Sequence, residues 1–313
     1  MLYTKSLNFL HLMNLFPEFD PNRQSRFSIA LLTSVPPTYA MRDFNVAYAT
    51  HVNFRDSILS HKNVVSMELK TKRDLRNQDK LGIIFGMQRT PENITREQVH
   101  ALRTSGVRIM SLYGDMYVAS LDEEGGLSDA GKQLIVWMGE ENMILNISPM
   151  NNESALDTLE FIQKENIGIS IMANAGCFEL NPIPQNISGE VIRKISALSG
   201  YIGIPTGEFA LGMFQMCAHV TSAISASASN GNTEGIGIDA GCPFFDMTIY
   251  QARDMYEVAR IKYFKKNLNT HESMILTEYA NMLFNFFSYN RSKISKKMFG
   301  QNFRTFLERA LPE

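Results

Sequence analysis

The chain is poor in the features that announce a specialised class. It has three cysteines in 313 residues, Cys177, Cys217 and Cys242, an odd number without CxxC spacing. That argues against a disulfide framework and a cysteine zinc site, and makes a reducing cytoplasm the expected home. No charge of one sign dominates: 30 Lys and Arg face 32 Asp and Glu, for a formal charge of -2 at pH 7. Nucleic acid is therefore not an expected partner. No stretch approaches the roughly 18 uninterrupted apolar residues of a transmembrane helix. Residues 6–16 are apolar but broken by Asn8, His11 and Asn14, and no small-residue cleavage site follows. They read as a short amphipathic helix rather than a signal peptide, with Leu7, Phe9, Leu10 and Leu15 packing on the rest of the chain or on a partner or membrane surface.

What is present is enough apolar residue for a large core, at 44% of the chain. One main domain of roughly 250 residues with an extension is the default. Short apolar runs alternate with amphipathic stretches, the pattern of parallel βα units. The expected strands are 46–49, 81–87, 107–112, 143–147, 167–172, 201–204 and 235–238. An eighth is not evident, and 27–35 reads as an extra strand that closes or flanks the set. Pro36-Pro37 is the clearest linker signal, which divides the chain into an N-terminal extension, 1–40, and a barrel, 41–313. Helix starts are expected at Thr90 or Asn93, at Ser154 with Asp157 in a capping-box arrangement, and at Ser188.

Six segments occur in the order and spacing of one family. They are Gly125-Gly126-Leu127-Ser128-Asp129 through Gly131; Asn146-Ile147-Ser148-Pro149 at a strand end; Met172-Ala173-Asn174-Ala175; Pro182 with Asn186-Ile187-Ser188; His219-Val220 ahead of Gly235-Ile236-Gly237-Ile238-Asp239; and the closing Phe299-Gly300-Gln301-Asn302-Phe303-Arg304. Together they resemble the membrane (renal) dipeptidase family, over most of the chain after residue 45. The resemblance implies a (β/α)8 TIM barrel of the amidohydrolase-like, metal-dependent hydrolase type, and a homodimer.

The same resemblance implies two zinc ions held by an HxD motif, a bridging glutamate and two histidines. Here those positions read His51-Val52-Asn53, Gln88, Pro149 and Met172, and the substrate-facing histidine of the third strand reads Gly114 beside Asp115. A neutral amide cannot hold two cations close together, proline offers no side-chain donor, and a thioether suits copper(I) more than zinc. No cofactor is therefore expected, and zinc only if the alignment is wrong.

The strand reading puts His51, Asn53, Gln88, Asp115, Asn146, Asn174, Glu208, His219 and Asp239 at the C-terminal face of the barrel, suited to a small peptide-like or amino-acid-derived ligand. His51 and Asp239 are the catalytic candidates: a free imidazole titrates near neutrality, and Asp239 matches the family residue near the substrate's amino group. Each also has a structural reading, a packed histidine and a turn-capping aspartate. Cys177 and Cys242 read either as thiols paired with His51 or as buried small hydrophobes, and Met87, Met110, Met143 and Met172 as a copper site or as core. Three functions follow: a metal-independent tailoring enzyme acting on a peptide-like biosynthetic intermediate, an inactive homologue that binds or scaffolds, and a zinc metallodipeptidase.

Overall fold

The computed structural model of the protein describes residues 29–34, 42–60, 66–76, 80–112, 114, 116–118, 126–148, 150–205, 213–228, 235–239 and 302–313. The elements are β1 (Ile29–Ser34), α1 (Phe44–Leu59), β2 (Ser66–Glu68), β3 (Leu81–Met87), α2 (Arg96–Thr104), β4 (Val107–Ser111), α3 (Asp129–Glu140), β5 (Ile144–Asn146), α4 (Asn152–Lys164), β6 (Ser170–Asn174), α5 (Gly189–Ala197), β7 (Tyr201–Pro205), α6 (Met213–Ala228), β8 (Ile236–Asp239) and α7 (Asn302–Ala310). All strand pairs are parallel, in the order β1-β3-β4-β5-β6-β7-β8, with β2 attached to β3. Parallel neighbours joined by helices are the architecture expected of a β/α barrel.

The stretch read as a strand at 46–49 lies instead inside α1. Asp43 caps that helix by accepting the Asn45 N–H at 2.9 Å. Ala47, His51, Phe54 and Ile58 then fall on one buried stripe, the three-to-four-residue spacing of a helix rather than the alternation of a strand. The first strand is β1, within the stretch 27–35; Leu31 pairs with Ile84 and Ser34 with Met87.

Strand alternation sorts the core into two layers. Leu31, Ile84, Ile109, Ile144, Met172 and Tyr201, one from each of six strands, form a cluster with Phe303, Phe306 and Leu307 of α7. This is the enclosed face, and α7 packs into it. Asn302 holds the helix there by donating Nδ2 to the Ile236 carbonyl at 2.8 Å, and Arg304 donates to the Leu75 carbonyl at 2.7 Å. The Asn302-Phe303-Arg304 end of the closing segment is thus a structural lock. The alternate residues, among them Met110, Leu145, Ile171 and Ile202, pack outward against Val99, Leu102, Leu134, Ile135 and Leu159 of the helices.

The helix starts follow local chemistry. Thr95, not Thr90 or Asn93, caps α2, in a reciprocal capping box with Gln98. Asn151 caps α4 by accepting the Ser154 N–H at 2.7 Å, so Ser154 lies inside the helix it was expected to open. Ser128 and Ser188 cap α3 and α5. Gly106, at φ +113, lets the chain turn from α2 into β4 against the Glu68 carboxylate. Met87, Met110, Met143 and Met172 are all buried core residues.

Candidate functional site

The enclosed face becomes polar toward the C-terminal ends of the strands. Two residues beyond Ile109 stands Ser111, and two beyond Ile144 stands Asn146, paired with it in register. Two beyond Met172 stands Asn174, opposite Gly203. These residues form a continuous row. Asn146 donates Nδ2 to Ser111 Oγ at 3.0 Å, and its Oδ1 accepts the Ser148 hydroxyl at 2.6 Å and the Ser148 N–H at 3.1 Å. Ser148 Oγ in turn accepts the Asn174 N–H at 2.6 Å. The Ser148 N–H can only donate, so it fixes which end of the Asn146 amide is oxygen.

Gln88 continues the alternation of Ile84 and Gly86 just past β3 and is half-buried, its N–H donated to the Ser34 carbonyl at 3.0 Å. Asp239 ends β8 in register with Pro205, at a strand position that shares the face of Gly203 and Asn174. Asp115, Pro149, Glu208 and Cys242, and the segment 6–16, lie outside the described residues. Gly114, at φ +91, accepts the Tyr117 N–H in a turn.

The two residues read as the first-strand motif are not part of this row. Because 46–53 is helical, Asn53 is exposed on α1 and His51 faces the outer side of the sheet. There Nδ1 of His51 lies 3.2 Å from Ser34 Oγ, itself donated to the Gly86 carbonyl, and the ring meets Phe85 edge-on. His51 is fully buried, and burial together with the neighbouring Arg55 lowers its pKa from 6.5 to about 4. Nε2 has no hydrogen-bond partner. It is a neutral core histidine, walled off from any ligand at the strand ends, so the expectation that it acts there as a free base is corrected by the helical geometry.

His219 is likewise buried and outward. Its Nδ1 accepts the Cys177 N–H at 2.7 Å, which places the proton on Nε2, and burial lowers its pKa. Cys177 therefore sits beside His219, not His51, and burial pushes its thiol up to about 11. At neutral pH it is an inert buried thiol rather than a nucleophile. Asn186 pins the same loop by accepting the Gly176 N–H at 2.8 Å, and Asn152 accepts the Ser188 N–H at 2.7 Å. The Asn186-Ile187-Ser188 segment thus positions the β6–α5 connection.

The donors described at the strand ends are mostly neutral. Gln88 is a neutral amide, Met172 is packed among Ile144 and Tyr201, and the row from Ser111 to Asn174 carries amides and hydroxyls. Among the described residues no group of three or more His, Cys, Asp or Glu could hold a metal ion. Ser111 and Ser148 were not singled out from the sequence, although period-2 alternation from Ile109 would have placed Ser111 on the enclosed face.

No protein-family model matches the chain, and no curated protein does. Solved structures do. An amidohydrolase from Pseudomonas aeruginosa superposes with a TM-score of 0.73 at 16% identity, covering 100% of this chain and 95% of its own. A dipeptidase of the M19 metallopeptidase family gives 0.66 at 12% identity, covering 100% and 98%. A metallopeptidase from Rhodobacter sphaeroides, solved with a phosphinate mimic of the dipeptide L-Ala-D-Ala, gives 0.65 at 12% identity, covering 99% of each chain. The fold is that of the amidohydrolase and dipeptidase barrels. Among the described residues, no helix is long and apolar enough to cross a membrane.

Proposed function

We propose that this dipeptidase-like barrel binds a peptide-like or amino-acid-derived ligand at its strand ends without a binuclear zinc centre, and tailors that ligand by metal-independent chemistry. The observation that carries the reading is the uncharged row Ser111, Asn146, Ser148 and Asn174 at the strand ends, with Gln88 at a position where the resemblance implies a metal ligand. Amides and hydroxyls recognise amides; they do not hold adjacent divalent cations. Asp239 is the ionisable residue whose strand position shares that face, and it is the acid–base or amine-recognition group of this reading. The structure solved with a dipeptide mimic supports the substrate class by analogy of fold. We assign the protein to the cytoplasm on its three unpaired-looking cysteines.

One observation favours a second reading, an inactive homologue that binds or scaffolds. His51, the other catalytic candidate, is buried behind the sheet. The experiment that separates the two is a thermal-shift panel of dipeptides and N-acylated dipeptides on the wild type and Asp239→Ala. The first reading expects a peptide to raise the Tm of the wild type, a chemically altered peptide to be recovered, and both effects to be lost in Asp239→Ala at an unchanged unliganded Tm. Binding that persists in the variant with the peptide recovered intact supports the scaffold, and no shift with any peptide overturns the first reading.

A further inference from the structure

The polar row leaves a buried acceptor at one end and a buried hydroxyl donor at the other. Asn174 Oδ1 is buried and has no hydrogen-bond partner, although its backbone N–H is spent on Ser148. At the other end Ser111 is 1% exposed; its Oγ accepts from Asn146, and its own hydroxyl hydrogen meets no acceptor among the described residues. A buried acceptor left unpaired costs stability, and at the polar strand ends, unlike His51 Nε2 behind the sheet, a ligand can fill it.

We propose that Asn174 Oδ1 is the recognition point for an amide N–H of the ligand, and that the Ser111 hydroxyl receives a carbonyl of the same ligand. This rests on the zinc-free ligand site proposed above and narrows its substrate to amide-bearing chain. Three features select that chemistry. First, Ser111, Asn146, Ser148 and Asn174 carry no formal charge, so a carboxylate laid on them would lose hydration without a counter-charge, whereas an amide is satisfied by them. Second, the polarity of Asn146 is fixed by the Ser148 N–H, so the Ser148 hydroxyl hydrogen goes to Asn146 and its oxygen to the Asn174 N–H, leaving Ser148 no donor for the Asn174 side chain. Third, the spacing suits a peptide. Ser111 and Asn174 lie on β4 and β6, two strand intervals apart and offset by two residues along the strand, about 12 Å in all, which an extended segment of about four residues spans.

The probe is N-acetyl-L-alanyl-L-alaninamide, a dipeptide with both charges capped, together with forms N-methylated at one amide nitrogen at a time, titrated calorimetrically. The wild type should bind the capped probe. Asn174→Ala should weaken the capped probe about tenfold, the scale of one buried hydrogen bond. One N-methyl form should lose a similar factor on the wild type and nothing further on Asn174→Ala, the signature of a direct contact. The unliganded Tm of Asn174→Ala should equal or exceed that of the wild type, because the unpaired acceptor is gone. A fall in Tm, or equal binding by Asn174→Ala and wild type, overturns the assignment. Tight binding of free L-Ala-L-Ala with no response to Asn174→Ala overturns this inference alone, whereas failure of every peptide, charged or capped, overturns the ligand site on which it rests.

Discussion

Replacing Glu68 with alanine costs about 3–5 kcal/mol of folding stability, the scale for removing one member of a buried ion network. The Glu68 side chain is 7% exposed and its Oε2 accepts Arg55 Nε at 3.0 Å, Arg55 Nη2 at 2.9 Å and Lys70 Nζ at 3.2 Å. Arg108 lies close enough to feel that charge, is only 3% exposed and donates to the Arg103 carbonyl at 2.7 Å; burial lowers its pKa to about 10. Removing the carboxylate leaves Arg55 with only the exposed Asp56 opposite it and Arg108 with only Asp74 as an acidic neighbour. Urea unfolding should show the midpoint falling at a constant slope, with Glu68→Gln losing less because the amide oxygen still accepts. An unchanged midpoint for Glu68→Ala would mean the network contributes nothing.

Acid should unfold the protein through His51 before the carboxylates titrate. Its folded pKa is depressed to about 4, so the ring is neutral in the folded chain and takes a proton on unfolding. The unfolded state then binds more protons between pH 6.5 and 4, and stability rises with pH across that window and is fully present above it. The slope steepens to about 1.4 kcal/mol per pH unit, for about 3 kcal/mol in all. His51→Gln, which keeps a polar group beside Ser34, should flatten that part of the curve. The same steep loss in His51→Gln would show that another group titrates there.

The six strands from β3 to β8 were legible because each is a short apolar run set off by turn residues or a helix cap. The first was not, for a definite reason. Val46, Ala47, Tyr48 and Ala49 make an apolar run of strand length, and His51-Val52-Asn53 after it imitates a metal-binding strand end. Three residues carry little information, while the longer stripe of Ala47, His51, Phe54 and Ile58 has helical spacing and prevails once packed. With the motif moved onto a helix, the one apparent survivor among the ligand positions also leaves the site.

The candidate site was half legible. Gln88, Asn146 and Asn174 were placed from strand ends, and Asn146 and Asn174 do join one hydrogen-bonded row. Ser111 and Ser148 were missed because a serine at a strand end has no distinctive signature; its role appears only when neighbouring strands bring the hydroxyl against an asparagine. His219 and Cys177 look chemical in sequence, yet both are buried on the outer side, where low polarity holds the imidazole neutral and the thiol protonated.

The central claim, a dipeptidase-like barrel whose ligand site dispenses with a zinc pair, is tested most directly by elemental analysis of protein purified without chelators from zinc-supplemented medium, with L-Ala-L-Ala hydrolysis followed on the same sample. The account predicts well under one equivalent of zinc per chain and no cleavage on adding zinc. Two equivalents, with cleavage abolished by a chelator and restored by zinc, would contradict it.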